Sequence, residues 1–393
     1  MNVRKNFITL CLVVSSILTG AGNSYQEPQS IKCTLKGEVI DRPQSSQLML
    51  AKAGADWRTT QWVSIPIQDG KFEYVLNCNH EEFYQLAFHD EYLNGAWRRI
   101  EFISEHGDIH FVLYAADQRG KNIMEGGKLN EGYKDYRIEG ISKYKELEPE
   151  KSVDEKWRKI SENGWINSSN QHQYYQILRE DTTYQEWLRW HLNYAKEHPT
   201  IVGYSILVSE IRNNKERIND IMPYADVYQT IFAAKYPDHS YTTQTIDLLT
   251  GSTLKAGVPY VDFTSVDLNN NPVRLSEQIG GKPAVLYLWA SWCGPCRQKG
   301  KELIPVYEEF RNKGFTVVGV ARERNNMSAA EAAIKLDKYT WKNLVELNDT
   351  EQIWVKYGIG NAGGSIFLID EKGTIVSVAP SIEEIREFLL NKL

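Results

Sequence analysis

The run PAVLYLWA, residues 283–290, followed at once by SWCGPC, is the stretch that most limits how this chain can fold. An unbroken apolar run has no face to give to water, so it predicts a strand in the buried middle of a parallel sheet. Directly after it, Cys293 and Cys296 bracket Gly294 and Pro295. Pro295 suits the first turn of a helix, where its missing N–H costs nothing, and Gly294 turns without side-chain bulk. The spacing therefore predicts a strand-to-helix junction with Cys293 at the helix start. Its sulfur would lie beside unpaired backbone N–H groups and the positive end of the helix dipole. Two sulfurs three residues apart on one turn can join and part with little backbone movement.

That placement suits thiol chemistry. A cysteine with a pKa near 8.5 is only about 3% thiolate at pH 7, whereas one tuned to about 7 is half ionised. The expected cycle has Cys293 attack a substrate disulfide and Cys296, more buried, resolve the mixed disulfide. Trp292 is expected to shield the pair on one side. Two other readings stand beside this one. A structural zinc site wants four ligands, and the chain has a single CxxC without a His or Cys pair at matching spacing. The CxxC could also be inert, left in a decayed domain. Arg297, Lys299 and Lys301 follow the pair; they either surround a thiolate and lower its pKa or point to solvent.

With 393 residues, two or three domains are expected. A net charge of −6 and the lack of a basic stripe argue against a nucleic-acid partner. At the N-terminus, Arg4 and Lys5 precede an apolar core from Phe7 to Leu18, and Ala21 and Gly22 offer small residues for cleavage. This predicts a signal peptide over residues 1–24, with an apolar run too short for a comfortable membrane span. Leu10 precedes Cys11 where a lipoprotein signal needs a small residue, so cleavage is expected rather than a lipid anchor. Export would place the mature chain in the periplasm or cell envelope, where disulfides persist. Cys33 and Cys78 lie in strand-like segments. Either they form a structural disulfide, stabilising by up to about 4 kcal/mol, or they pack as small buried thiols.

Residues 25–120 read as short alternating strands, with Asp69-Gly70 as a hairpin turn, and predict an antiparallel β-sandwich. Residues 121–250 read as helices at Asp154–Ile160, Tyr184–His198, Ile201–Asn213 and Ile218–Lys235, stopped by Pro199 and Pro237. Trp157, Trp165, Trp187 and Trp190 in this part are expected to pack between helices, with a sugar-stacking surface as the alternative. Residues 251–393 alternate strands and helices and predict a mainly parallel sheet covered on both faces. A hairpin turns at Asn269-Asn270-Asn271, another at Lys372-Gly373, and Ser381 with Glu384 makes a capping box.

WASWCGPCR after a buried strand, preceded by Gly257, Pro259, Asp262 and Phe263 and followed by FLID-x-x-G, resembles the thioredoxin superfamily. Within it the chain resembles TlpA/ResA-type thiol–disulfide oxidoreductases over residues 254–393. The upstream DGKFEY and FISEHGDI segments resemble DUF4369, a domain of unknown role that precedes such modules in Bacteroides-like bacteria. The resemblance implies an α/β thioredoxin fold and a redox-active Cys293–Cys296 disulfide with no other cofactor. It also implies disulfide-bearing exported proteins as substrates, an upstream thiol as electron donor, and membrane proximity. Three positions depart from the family's pattern. Tyr287 stands where a buried acid is common, Lys299 where glutamate is common, and Gly364 where a cis-proline normally precedes the strand. A tyrosine with a reference pKa near 10 is a poor proton acceptor at neutral pH. Two other functions are weighed. A peroxidase of the AhpC/TSA type would need Pro-x-x-x-Thr-x-x-Cys, which does not precede Cys293. A scaffold would use the sandwich and helices to hold a partner.

Overall fold

The computed structural model describes residues 30–53, 61–96, 98–161, 164–167, 170–360 and 363–393. The expected signal peptide at 1–24 lies outside them. The chain divides into two compact units, one ending at residue 52 and resuming over 64–127, the other made of 53–63 and 128–393.

The first unit is a sandwich of two four-stranded sheets. Its strands are β1 (Ile31–Val39), β2 (Gln47–Lys52), β3 (Val63–Pro66), β4 (Lys71–Cys78), β5 (Phe83–Phe88), β6 (Ile100–Ile103), β7 (Gly107–Leu113) and β8 (Ile123–Glu125), with a short helix α1 (His89–Leu93) after β5. One sheet runs β4-β1-β7-β8 and the other β3-β2-β5-β6. Alternate residues of both sheets, among them Leu35, Leu48, Leu86, Phe102 and Phe111, form a shared core. The expected sandwich is present, but it is not wholly antiparallel: β1 and β7 pair in parallel. The Asp69-Gly70 turn has φ of +49° and +72°, the mirror-turn geometry that such a pair favours. It closes only the Gln68–Lys71 bridge before β3 and β4 part into different sheets.

In the second unit a helical layer comes first: α2 (Lys128–Leu147), α3 (Lys151–Ile160), α4 (Gln171–Glu180), α5 (Thr182–Glu197), α6 (Ile201–Asn214), α7 (Met222–Val227) and α8 (Ser240–Thr253). Helix α2 was not expected from the sequence. Among its residues only Asn130 is buried, so no apolar stripe marks it. Side chains of α5 hold it instead: Tyr136 stacks on Trp190 at 5.7 Å, and its hydroxyl lies 2.7 Å from His191 Nδ1. Trp187 and Trp190 stack at 5.4 Å and Trp157 is buried, as packing residues should be, whereas Trp165 is exposed. The single helix expected over Ile218–Lys235 is instead α7 running into a π-helical turn at Tyr228–Phe232.

The rest of this unit is a seven-stranded sheet in the order β10-β9-β13-β12-β11-β14-β15. The strands are β9 (Thr264–Asp267), β10 (Pro272–Arg274), β11 (Ala284–Trp289), β12 (Thr316–Glu323), β13 (Lys342–Leu347), β14 (Ser365–Ile369) and β15 (Ile375–Val378). Interleaved helices are α9 (Leu275–Ile279), α10 (Gly294–Phe310), α11 (Ser328–Asp337), α12 (Ile353–Lys356) and α13 (Ile382–Lys392). Only β11, β12 and β13 are mutually parallel, so the sheet is mixed rather than mainly parallel. The reason is connection length: α10 and α11 are crossovers, while the tight turns at Asn270 and Gly373 force antiparallel pairs. As expected, β11 is buried throughout. Val285, Tyr287 and Trp289 face a core with α10 and α13, and Leu286 and Leu288 face a second core with α9 and α12. Burying each such side chain contributes about 1.5–3 kcal/mol. The Ser381–Glu384 capping box is formed.

Candidate active site

Strand β11 ends at Trp289, and the chain turns so that Cys293 N–H donates to Ala290 O at 3.0 Å. Cys293 is the N-cap of α10, with Pro295 in the first turn and Cys293 Sγ accepting Cys296 N–H at 3.3 Å. The two sulfurs are joined, with the Cα atoms 5.3 Å apart. The predicted junction is therefore present, and the Cys293 sulfur caps a helix start whose N–H groups and dipole favour negative charge. Both cysteines are half-buried, and Cys296 packs against the core that lies under α10. Gly294 is exposed. Trp292 is 58% exposed and projects to solvent, so it shields the pair less than expected.

Two buried phenols support the first turn of α10. Tyr287 Oη donates to Cys296 O at 2.6 Å, and Tyr339 Oη donates to Arg297 O at 3.0 Å. Gly300 makes room for both, since a Cβ there would stand 2.4 Å from Tyr339 Oη and 2.7 Å from Tyr287 Oη. Burial pushes the Tyr339 hydroxyl up to about 12 and the Tyr287 hydroxyl well above its ordinary value. Both stay neutral donors at physiological pH. Tyr287 thus replaces an acid with a fixed hydrogen bond.

Two of the cations beside the CxxC go to a carboxylate. Arg297 Nε and Nη2 donate to Asp337 at 2.6 and 3.0 Å, and Lys301 Nζ lies 3.2 Å from the same carboxylate. The Asp337 side chain is fully inaccessible. The hydrogen bond from Arg297 is the largest influence holding this carboxyl below its ordinary range. Of the two readings left open for these cations, a thiolate neighbourhood or solvent, neither describes Arg297 and Lys301, which pair with Asp337. A buried carboxylate needs its charge met, and Arg297 and Lys301 meet it. Lys299 is half-buried and makes no ion pair among the described residues.

The resemblance put Gly364 in the place of a cis-proline, directly before the strand that begins at Ser365. The structure puts Gly364 against β11, where a Cβ would meet Leu288 O at 1.9 Å. The residue over the disulfide is Gly363: its Cβ would fall 2.3 Å from Cys293 Sγ and 3.1 Å from Cys296 Sγ. No cis peptide occurs among the described residues. Gly363, the residue before Gly364, was not singled out from the sequence, and the Gly363-Gly364 pair was the available signal.

Cys33 and Cys78 are unbonded thiols in this structure. The β1–β4 register sets Cys33 opposite Leu76 and Cys78 opposite Ile31, so the two are diagonal rather than facing. Diagonal neighbours stand further apart than a disulfide spans. Burial pushes the Cys33 thiol up to about 11 and raises that of Cys78, which donates to Ser104 Oγ at 3.3 Å. Both are poor nucleophiles at neutral pH.

Residues 256–378 match the AhpC/TSA family. The thiol–disulfide oxidoreductase ResA of Bacillus thuringiensis is 24% identical over 123 residues, which cover 31% of this chain and 68% of that protein. The thiol:disulfide interchange protein DsbE of Pseudomonas fluorescens is 26% identical over 127 residues, 30% of this chain and 63% of that protein. Among solved structures, the thioredoxin domain of a thiol-disulfide oxidoreductase from Bacteroides vulgatus is 27% identical. It covers 35% of this chain and 98% of its own, with a TM-score of 0.32. The family match spans the strands and helices around Cys293 and Cys296. The C-terminal third of this chain is thus a thioredoxin-like domain of the AhpC/TSA family, homologous to ResA- and DsbE-type thiol–disulfide oxidoreductases.

Proposed function

We propose that this protein is an extracytoplasmic thiol–disulfide oxidoreductase whose Cys293–Cys296 pair reduces disulfides in exported proteins. One observation carries the reading: Cys293 caps a helix with its sulfur, bonded to Cys296 one turn on. In the reduced enzyme the Cys293 thiolate attacks one sulfur of a substrate disulfide. The substrate S–S bond breaks, a mixed disulfide forms on Cys293, and the departing substrate thiolate takes a proton. Cys296 then attacks Cys293 Sγ, closing the enzyme disulfide and releasing the second substrate thiol. Two electrons and two protons have passed to the substrate, and an external thiol must return them.

The fixed parts of the site serve this exchange. The N–H of Cys296 already points at Cys293 Sγ, so charge forming there meets a donor that need not move. The phenols of Tyr287 and Tyr339 hold the carbonyls of Cys296 and Arg297, keeping the first turn in place while the S–S bond opens. Extracytoplasmic action is supported by the basic and then apolar pattern of residues 1–24. No helix among the described residues is long and apolar enough to cross a membrane.

Insulin reduction by the purified protein, driven by a small dithiol, tests the reading. Wild-type protein should accelerate precipitation of the reduced chains, and Cys293→Ser should abolish the effect. A wild-type rate no better than the dithiol alone would contradict it.

A further inference from the structure

Glu323 is the last residue of β12 and is only 4% exposed, yet no exchange step above uses it. The parallel register sets Trp289 beside Ala321, so β12 outruns β11 by two residues and carries Glu323 alongside the turn that follows Trp289. On that face small residues lie beside large ones, Gly319 beside Tyr287 and Ala321 beside Trp289. The next step along is Glu323 beside Ser291.

Both carboxylate oxygens go to that one residue. Ser291 N–H donates to Oε1 at 2.8 Å, and Ser291 Oγ donates to Oε2 at 2.9 Å. From the other side Arg297 Nη1 reaches Ser291 O at 3.5 Å while its remaining nitrogens stay on Asp337. Ser291 is the first central residue of the turn closed by Cys293 N–H on Ala290 O. A turn of this kind leaves the N–H of its central residue without an acceptor of its own. The backbone of Glu323 is itself anchored, because its carbonyl accepts Asn348 N–H at 2.9 Å. A carboxylate on a rigid strand therefore grips the residue two before Cys293.

We propose that Glu323 is a positioning residue for the Cys293–Cys296 pair. It fixes the turn that presents Cys293 Sγ, and its negative charge disfavours the thiolate of the reduced form. This rests on reading Cys293 and Cys296 as a redox pair. A group that destabilises the reduced state makes a couple more reducing.

The test is equilibration of the full chain with glutathione buffers, followed by acid quench, alkylation and mass spectrometry of the peptide that holds both cysteines. In that equilibrium the protein disulfide and two glutathione thiols give the protein dithiol and one glutathione disulfide, a two-electron, two-proton exchange. Glu323→Gln keeps the shape and can keep both contacts while losing the charge. It should move the equilibrium about five-fold toward the dithiol, which is about 20 mV more oxidising. Glu323→Ala, which also loses the grip, should move it at least as far; should that variant fail to fold, Glu323→Gln alone decides. Folded variants that stay within about two-fold of wild type, or that shift toward the disulfide, overturn the proposal. A wild-type pair that does not exchange with glutathione at all removes the redox reading itself, and the proposal with it.

Discussion

Gly363 lies where any side chain would press on sulfur. A methyl group there would stand 2.3 Å from Cys293 Sγ, closer than real contacts allow, so either the loop or the disulfide must give way. Gly363→Ala is expected to slow insulin reduction about ten-fold, or about 1.4 kcal/mol in the barrier, with little loss of thermal stability; an unchanged rate would show that the loop simply yields. Among the thiols, the raised Cys33 and Cys78 groups should alkylate far more slowly at pH 7 than Cys293 in the reduced protein. Peptide-level kinetics with iodoacetamide checks this, and equal rates would contradict it. The two redox cysteines were legible because CxxC spacing acts within one helical turn. Gly363, Glu323 and Asp337 were not: each reaches the site from a distant part of the chain, and no local pattern records which strand end or helix end will meet the CxxC. The place of Arg297 and Lys301 was left open for the same reason, since their partner Asp337 stands 40 residues beyond Arg297.

Elements that cross the core left the clearest marks. The all-buried β11, the Gly-Pro start of α10 and the Ser381 cap were all readable, because each depends on residues close in sequence. Helix α2 was not, because it docks through Tyr136 rather than an apolar stripe. Two buried acids lie on elements next to α12. Burial raises Asp247 of α8 to about 6 and Glu346 of β13 to about 7. Each also keeps one buried oxygen without a hydrogen-bond partner among the described residues. Lys356 opposes both shifts, while Asp349 and Glu351 add to that of Glu346. Folding raises these pKa values, so the stability they contribute is complete below the unfolded values near 4. It is lost as pH rises through about 6 for Asp247 and about 7 for Glu346. Denaturant unfolding should show stability falling by roughly 2 kcal/mol or more from pH 5 to pH 8, with the fall clearly smaller in Glu346→Gln. A flat profile in the wild type, or the same slope in the variant, would show that these groups do not titrate as argued.

At the scale of the molecule, the helical layer from residue 128 to 250 is part of the unit that carries the redox site. Helix α8 runs through the expected boundary at 250 and meets α12 backbone to backbone: a Cβ on Gly251 would stand 2.2 Å from Val355 O and 2.7 Å from Gly358 N. Lys215, at the end of α6, donates to Gly358 O. Such contacts bind the helices to the sheet a few residues before Gly363. Gly251→Val is therefore expected to cost about 2–4 kcal/mol, read as a lower midpoint for the whole second unit in thermal unfolding. A separate, lower transition for the helices alone would contradict their membership in one unit. The sequence showed helices followed by an α/β domain but not their union, because a glycine-to-glycine approach leaves no apolar signature.

The central claim, that Cys293 attacks and Cys296 resolves, is tested most directly by removing the resolving thiol. Reduced Cys296→Ser protein, mixed with a disulfide-bearing protein and digested, should yield a stable mixed disulfide at Cys293 that the wild type releases. Finding no adduct, or adducts spread equally over Cys33 and Cys78, would contradict the account.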